Sequence, residues 1–444
     1  MIRSPATLPP GPRTPTILQL VWWLLRLPPF LEACARRFGD VFTIRLPVFG
    51  TFLVYSAPDD LRAIFEAPSE NFDDGGPYSF FARSFGPMSM LALTGNEHRR
   101  ERGLLGPHFQ GDRLRASGEV MRAAVRRSLE TSQKGRPVPL RPLMETITFE
   151  VIAEVVLGLG PGSELTALLQ ALQSGRHPMI DAFARRFFSN PPAARGRRQA
   201  DAWIDAQIAA RRAAPRTGSR DDILAHLLRA ERADGEPMSD ASIRAEILLL
   251  LVSGHTTTAA SLAWAFQLIL RHPEVRARIE TEIAATGADC TGGTGFAYLD
   301  ATIKEALRLR PIVPLVFRRL AGPVAIRGRS IPAGVTLVPC IHLAHRRPEK
   351  YPDPDRFRPE RFLGRPVDRY SWLPFGGGFR SCLGASFALL EMRVVIATTL
   401  ATLRIELATP PSEDSAHQRG RFLRAPSDQL KVVLGKPDPL ASVR

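Results

Sequence analysis

The stretch from Phe375 to Gly384 reads Phe-Gly-Gly-Gly-Phe-Arg-Ser-Cys-Leu-Gly, and it constrains the fold more than any other segment of the chain. Its four glycines allow the backbone to turn tightly and to approach a flat group closely. An amphipathic helix is predicted to follow at once, over residues 385–403. Cys382 therefore stands at a helix start, where exposed amides and the helix dipole lower the pKa of a thiol and favour the thiolate. The alternative is a buried free cysteine in a glycine-rich turn.

The composition indicates a globular protein that is long enough for a large core, with 444 residues of which 44% are apolar. The four cysteines are too widely spaced for a zinc or disulfide pattern, which favours a reducing cytoplasm. The formal charge of +15 comes largely from scattered arginines. It indicates either a solvated arginine-rich surface or a basic face that attracts an acidic redox partner. Nucleic-acid binding is not favoured, because no binding motif accompanies the basic residues.

The N-terminal segment is apolar over Ile17–Leu25, but a spanning helix needs about 20 such residues. Prolines precede this run and end it, and no small-residue cleavage site follows. We therefore predict a Pro-rich leader over residues 1–15, then a short helix with its apolar side on the protein body and no transmembrane anchor. Peripheral contact with a membrane through Trp22 and Trp23 stays open.

Periodicity along the rest of the chain is mainly helical, without internal repeats. A hairpin is predicted over residues 41–57, a long loop over 71–92 and short strands over 313–340. The longest predicted helix covers residues 239–271, roughly 50 Å at the usual rise per residue. The pattern predicts a mainly α fold with a small, separate β portion.

The cysteine stretch resembles the haem-ligand loop of the cytochrome P-450 superfamily, Phe-x-x-Gly-x-Arg-x-Cys-x-Gly. All five fixed positions are matched, by Phe375, Gly378, Arg380, Cys382 and Gly384. The resemblance extends from about residue 9 to about residue 434. It implies a single large domain over residues 16–444, with haem b between a long distal helix and the proximal cysteine loop. Cys382 would be the axial ligand of the iron, as a thiolate that favours cleavage of dioxygen.

A second motif, Ser253-Gly-His-Thr-Thr-Thr258, lies within the longest predicted helix and resembles the family's oxygen-binding groove. Gly254 and Thr257 fall on its key positions, and Thr257 would donate a hydrogen bond to dioxygen. The glycine and the hydroxyls predict a locally opened helix. Thr256 replaces the acid that is usual in the family, so protons would pass through water, Thr256 or another side chain. The alternative is a Ser/Thr-rich kink without chemistry.

A third motif is structural. Glu305 and Arg308 share one helix face and resemble the Glu-x-x-Arg element of the family, and Arg361 matches its third member. The implied role is a buried carboxylate–guanidinium network in the proximal core.

Further residues of the cofactor site follow from the same resemblance. The implied partners of the haem propionates are His98, Arg102, Arg318 and Arg380, with Arg319 competing with Arg318 and with Phe375 and Gly376 against the cofactor. Two apolar segments would form the substrate pocket, or else ordinary core, through Phe80, Phe81, Phe85, Met88, Met90, Val313, Leu315 and Val316. An apolar substrate is therefore predicted, and Met and Phe together suit an adaptable pocket.

The implied activity is a haem-thiolate monooxygenase that hydroxylates or epoxidises a hydrophobic small molecule such as a fatty acid, terpenoid, steroid or polyketide-type metabolite. Dioxygen is the co-substrate. Electrons would come from separate proteins, namely a ferredoxin and its reductase or an equivalent flavoprotein. A cytoplasmic monomer is the expected form. The alternatives are a peroxide-driven peroxygenase or isomerase, a non-enzymatic haem sensor, and a basic nucleic-acid or membrane-surface protein with a fortuitous cysteine loop.

Overall fold

The computed structural model describes residues 8–47, 49–73, 82, 85–173, 192–214, 222–231, 235–287, 290–291, 295–364, 366–408 and 423–435. The fold is mainly α with small sheets, which confirms the predicted class. The helices are α1 Thr16–Leu25, α2 Leu27–Phe38, α3 Pro58–Glu66, α4 Gly95–Leu105, α5 Gly111–Thr131, α6 Leu140–Leu157, α7 Ser163–Gln173, α8 Pro192–Ala213, α9 Ile223–Arg229, α10 Asp240–Arg271, α11 Pro273–Thr286, α12 Ala297–Leu309, α13 Ile341–Ala344 and α14 Ala385–Thr402.

The strands form small separate sheets. They are β1 Val41–Leu46, β2 Gly50–Tyr55, β3 Pro137–Pro139, β4 Arg318–Arg319, β5 Val324–Ile326, β6 Arg329–Ile331, β7 Thr336–Pro339, β8 Arg404–Leu407 and β9 Lys431–Gly435. One sheet has the order β1-β2-β7-β4, in which β2 and β7 are parallel and the other neighbours antiparallel. A second has the antiparallel order β3-β9-β8, and β5 and β6 form a hairpin.

Helix α10 is the centre of the largest core cluster and packs along α6 and against α12 and α14. It begins where Ser239 accepts a hydrogen bond from the Ser242 amide, and Asp240 lies in its first turn. A Cβ at Gly254 would lie only 2.6 Å from Ile152 Cγ1 on α6. Glycine is therefore required for the close approach of two helices. The predicted local opening is wrong, because α10 is continuous through this stretch.

Two helices, α10 and α14, are long and apolar enough to cross a membrane by length and composition alone. Most of each apolar window is nevertheless buried inside the protein, 72% for α10 and 56% for α14. Their apolar character is thus accounted for by packing in the core.

Helix α1 corrects the predicted orientation of the N-terminal segment. Gln19, only 2% exposed, points inward, and its amide nitrogen donates to Pro12 O and Thr14 O. Its amide oxygen accepts from the Arg45 backbone N–H at 3.0 Å. With the polar residue on the inner side, several large apolar side chains of α1 face outward. The apolar side is therefore mostly away from the protein body.

Candidate functional site

The loop that carries Cys382 is pressed onto α3. Gly378 has a φ of 69°, in the left-handed region that favours glycine, and a Cβ there would collide with the Phe65 carbonyl. The Cys382 backbone N–H donates to Phe375 O at 2.9 Å, which closes the loop on itself. The Phe375 ring in turn contacts Trp372, whose indole donates to Lys304 O on α12. The loop is thus fixed on two sides by the protein core.

The thiol of Cys382 stands two residues before the Gly384 N-cap of α14. It is the exposed member of the four cysteines, yet burial by the surrounding protein is the largest influence on its pKa. Burial raises the pKa of this thiol, while the Gly384 amide and the Arg102 guanidinium oppose the rise. The predicted lowering of this pKa is therefore wrong in net direction, because desolvation outweighs the helix-start amides.

Three predicted arginines surround the loop, and their hydrogen bonds hold it in place. Arg102 donates to Ser381 O at 2.7 Å, from the C-terminal half of α4. Arg318, at 2% exposure, donates to Gly377 O, and Arg380 donates to Leu93 O at 2.5 Å. Arg319, the competing candidate, points away and forms an exposed ion pair with Asp73. The structure therefore brings Arg318 to the site and leaves Arg319 outside it.

Phe379 is the centre of this cation cluster, and the sequence analysis missed it. The guanidinium carbons of Arg318 and Arg380 lie 5.1 Å and 5.9 Å from the centre of its ring. The His98 ring is edge-on to the Phe379 ring, with 6.1 Å between the two ring centres. The sequence did contain a signal for this role, because Phe379 directly precedes Arg380 and arginine often stacks on aromatic faces.

The electrostatic field at this cluster tests whether the residues fit a haem. Burial and the positive charges of Arg380, Arg102 and Arg318 lower the pKa of His98 to about 4. Burial is the larger cause of this shift, and the three guanidinium groups that add to it make the pocket positive. Such a pocket favours an anionic group, and the two carboxylates of a haem supply the matching charge beside the cysteine loop. The residues present therefore fit the group.

The hydroxyl residues of α10 lie near the middle of that helix. Thr256 and Thr257 each donate through Oγ1, at 2.8 Å, to the carbonyls of Val252 and Ser253. Both threonines are partly exposed, although much of the helix around them is buried. Ile152 fills the space beside Gly254, so this glycine allows α6 and α10 to pack closely.

A buried acid links α14 to α10 and was also missed. Glu391 on α14 has no accessible surface and faces Thr258 on α10. Burial raises the pKa of Glu391 well above its usual value. Its oxygens have no hydrogen bond of ordinary geometry within the described residues, although Thr258 is close enough to oppose the pKa shift.

A second buried acid, Glu246, is hydrogen-bonded to the segment that contains Met90. Its Oε1 accepts from the Met90 N–H at 2.5 Å, and Oε2 has no partner in the described part of the chain. The same segment is held at Leu91 and Leu93 by Arg380. One short segment thus links α10 to the cysteine loop. Burial raises the pKa of Glu246 to about 8.

Replacing Glu246 with glutamine is expected to change how stability depends on pH. Between about pH 4.5 and 8 the unfolded chain ionises this carboxyl while the folded protein keeps it protonated. The stability that it contributes is therefore full below this window and is lost as the pH rises through it. The stability of Glu246→Gln relative to wild type should rise with pH, by at most about 1.4 kcal/mol per pH unit. Urea unfolding across the window measures this difference, with the exposed Glu97→Gln on α4 as control. A difference that does not change with pH would contradict the assignment.

The structure brings together the three members of the predicted structural network. Arg308 Nε lies 2.6 Å from Glu305 Oε2, and Arg361 Nε lies 3.2 Å from Glu305 Oε1. Glu305 and Arg308 have no accessible surface. Arg308 also donates to His345 O at 2.8 Å, which ties α12 to the segment after α13.

The predicted pocket residues fall into different environments. Phe80 and Phe81 lie outside the described residues. Met88 lines a small cavity, Phe85 and Met90 lie at the edge of the main core, and Val313 and Val316 are partly exposed. A Cβ at Gly376 would lie 3.8 Å from Val316 Cγ1, which places Val316 beside the cysteine loop.

Leu315 corrects one of these predictions. It has no accessible surface and belongs to the core cluster of β1, β2 and β7. A side chain without accessible surface cannot line a cavity, so Leu315 is core.

The fold and the site together define a mainly α protein built around a cysteine loop and a strongly positive pocket. The sequence matches the Cytochrome P450 family over residues 9–432. It is 38% identical to cytochrome P450 135B1 of Mycobacterium tuberculosis over 413 residues, or 90% of this chain and 86% of that protein. It is 34% identical to cytochrome P450 138 of the same species, over 96% of each chain. The chain belongs to the cytochrome P450 family and is a P450 monooxygenase, an oxidoreductase.

Solved structures agree with this assignment. A retinoic-acid-bound cyanobacterial protein, CYP120A1, has a TM-score of 0.83 and 27% identity, over 97% of this chain and 100% of that one. The haem domain of cytochrome P450DA also has a TM-score of 0.83, at 21% identity and over 98% of each chain, and shows the shared fold. The family implies haem with cysteine thiolate ligation, dioxygen, a small-molecule substrate and redox partners.

Proposed function

We propose that this protein hydroxylates or epoxidises a hydrophobic small molecule, with Cys382 as the axial thiolate of haem b. The observation that carries the proposal is the convergence of three guanidinium groups, those of Arg102, Arg318 and Arg380, on the loop that carries Cys382. When bound, haem supplies dioxygen activation, which no side chain of the protein can perform. The Gly384 amide and Arg102 favour the thiolate at Cys382 Sγ.

The pocket residues divide the remaining tasks. His98, Arg102, Arg318 and Arg380 would hold the two propionates, and Phe375 and Gly376 would contact the haem. Thr257, whose hydroxyl donates to Ser253 O, would be the hydrogen-bond donor to dioxygen. Thr256 takes part in proton delivery with water, since a hydroxyl can both accept and donate a proton.

The substrate is proposed to be apolar, from the fatty acid, terpenoid, steroid or polyketide class. Phe85, Met88, Met90, Val313 and Val316 supply flexible and branched apolar side chains, and Phe80 and Phe81 extend this set in sequence. The retinoic acid bound by the cyanobacterial neighbour supports a terpenoid-like substrate in particular.

Electrons are proposed to come from a ferredoxin and its reductase, or from an equivalent flavoprotein. The formal charge of +15 suits an acidic partner, because complementary charge speeds association. We further propose a cytoplasmic monomer that binds no nucleic acid, with a leader over residues 1–15 and a single domain over residues 16–444.

The visible spectrum of the purified protein, reduced and treated with carbon monoxide, tests the proposal. A strongly red-shifted Soret band is expected for haem held by a thiolate. A band at the position of histidine-ligated or thiol-ligated haem would overturn it. Candidate apolar substrates are then screened by their shift of the iron spin state.

Thr257→Ala is expected to divert reducing equivalents to peroxide, because the pocket loses the hydroxyl that holds dioxygen. The ratio of product formed to reduced cofactor consumed measures this coupling. Thr258→Ala is the control on the same helix, since Thr258 faces Glu391 instead. Unchanged coupling in Thr257→Ala would transfer the role to Thr256 or to a water.

A peroxide-driven reaction is a second candidate, and Thr256 favours it. No carboxylate stands at that position, and the Thr256 hydroxyl is already bonded to Val252 O. A peroxygenase needs fewer delivered protons, because peroxide brings its own. Faster turnover with peroxide than with the redox chain would establish this alternative.

A further inference from the structure

Helix α1 is apolar on most of its surface: Leu20 and Trp23 pack against the core cluster that includes β1 and β2, and a larger apolar set faces outward. Its buried side carries Gln19, which makes three hydrogen bonds to the protein. Its outer face carries five large apolar residues, from Ile17 at 57% exposure to Leu25 at 58%. The set is Ile17, Leu18, Val21, Trp22 and Leu25. Sequence spacing puts them on one stripe of the helix.

This stripe accounts for most of the exposed large apolar surface of the described chain. Of seven such side chains, five are on α1 and a sixth, Phe49 at 58%, lies in the turn between β1 and β2. That turn is next to α1 along the sheet, because Trp23 contacts Phe52 and Gln19 binds Arg45. A concentrated apolar patch of this kind marks an interaction surface.

The rim of the patch is positively charged. Residues 1–31 include Arg3, Arg13 and Arg26 and no acidic residue. Arg13 and Arg26 flank α1 and Arg45 lies beside it, all exposed. Within the described residues, none of these last three forms an ion pair. The nearest acids along the chain are already bound, Glu32 by His342 and Asp40 by Arg347.

We infer that α1 and Phe49 form a docking surface for an anionic phospholipid bilayer, with α1 lying in the headgroup plane. Trp, Leu and Ile on one face with arginines at the rim match the composition of interfacial helices. Anionic headgroups also supply the counter-charge that the arginines lack. A symmetric dimer is disfavoured, because it would bring two identical positive rims together. The inference is independent of the catalytic role of any residue.

Flotation of the intact holoprotein with vesicles tests the inference. Equimolar phosphatidylcholine and phosphatidylglycerol should recruit the protein at low salt, and high salt or phosphatidylcholine alone should weaken the recruitment. Trp22→Ser/Leu25→Ser should lower the partition coefficient at least about tenfold. The matched control for Leu25→Ser is Leu423→Ser, an exposed leucine near the other end of the chain. Leu25 is 58% exposed, so the thermal unfolding midpoint should stay unchanged in Leu25→Ser alone, which should also weaken binding.

The charge of the rim is tested separately. Arg13→Gln/Arg26→Gln/Arg45→Gln should weaken binding to anionic vesicles about tenfold. Arg126→Gln/Arg136→Gln/Arg229→Gln removes the same charge from exposed arginines elsewhere and should have little effect. Quenching of tryptophan fluorescence by brominated lipid should diminish in Trp22→Phe, which retains binding.

Failure of the wild-type protein to bind anionic vesicles would overturn the inference, as would equal binding by Trp22→Ser/Leu25→Ser. A dimer in solution that Leu25→Ser dissolves, without vesicle binding, would instead assign the face to a second copy of the chain.

Discussion

Replacing Cys382 with alanine is expected to abolish substrate oxidation and to remove the red-shifted Soret band from the carbon monoxide complex. The thiol is held at a fixed point by its backbone bond to Phe375 O, and the Gly384 amide faces its sulfur. Alanine keeps this loop geometry and deletes the sulfur, so the loss is specific to ligation. Haem retained without its thiolate loses the electron donation that favours cleavage of dioxygen.

The matched control for this variant is Cys340→Ala. Cys340 is fully buried, and burial raises the pKa of its thiol to about 12, so it is a neutral apolar side chain in the core. Its replacement should leave the spectrum unchanged. A Cys382→Ala protein that still oxidised substrate with a normal thiolate spectrum would refute the assignment of the ligand.

The long helix and the cysteine loop could be predicted because their signals are local. An apolar run capped by Ser239 and Asp240 starts α10 near residue 239, and glycines before Cys382 require a tight turn wherever the loop lies. The carboxylate–guanidinium pair of Glu305 and Arg308 was likewise readable from a three-residue spacing on one helix face.

The errors in prediction came from features that depend on tertiary contacts. Gly254 indicated an opened helix, yet the space that it leaves is filled by Ile152 from a distant helix. The helix dipole correctly predicted one influence on Cys382, but desolvation depends on every group around the thiol. The apolar run in α1 suggested burial, and only the three hydrogen bonds of Gln19 show that the helix is turned outward.

Phe379, Glu246 and Glu391 were missed because they carry no motif of their own. Phe379 gains its role from two arginines and a histidine that converge on its ring from separate elements. Glu246 resembles any helical glutamate in sequence, and its importance comes from zero exposure and the Met90 amide. Burial of a titratable group is a property of the whole fold, so local patterns do not reveal it.

Arg308→Ala is expected to destabilise the holoprotein by roughly 3–5 kcal/mol, because it leaves the carboxylate of Glu305 buried without its main counter-charge. Arg308 contributes two of the three guanidinium contacts to Glu305 and also holds His345 O. Arg361 remains, but its other two hydrogen bonds go to Pro352 O and Asp353 O, so it does not move to fill the gap. Urea unfolding of the holoprotein measures the loss.

Arg115→Ala is the matched control, since Arg115 pairs with Asp112 at the same three-residue spacing on an exposed helix face. Both variants delete the same atoms from the same local geometry, and they differ in burial. The exposed pair should contribute about 0–1 kcal/mol to the free energy of unfolding, because water and salt screen it and its loss leaves a solvated carboxylate. Equal effects of the two variants would show that the proximal network is not stabilised by its burial, and that Glu305 is hydrated or protonated in the folded protein.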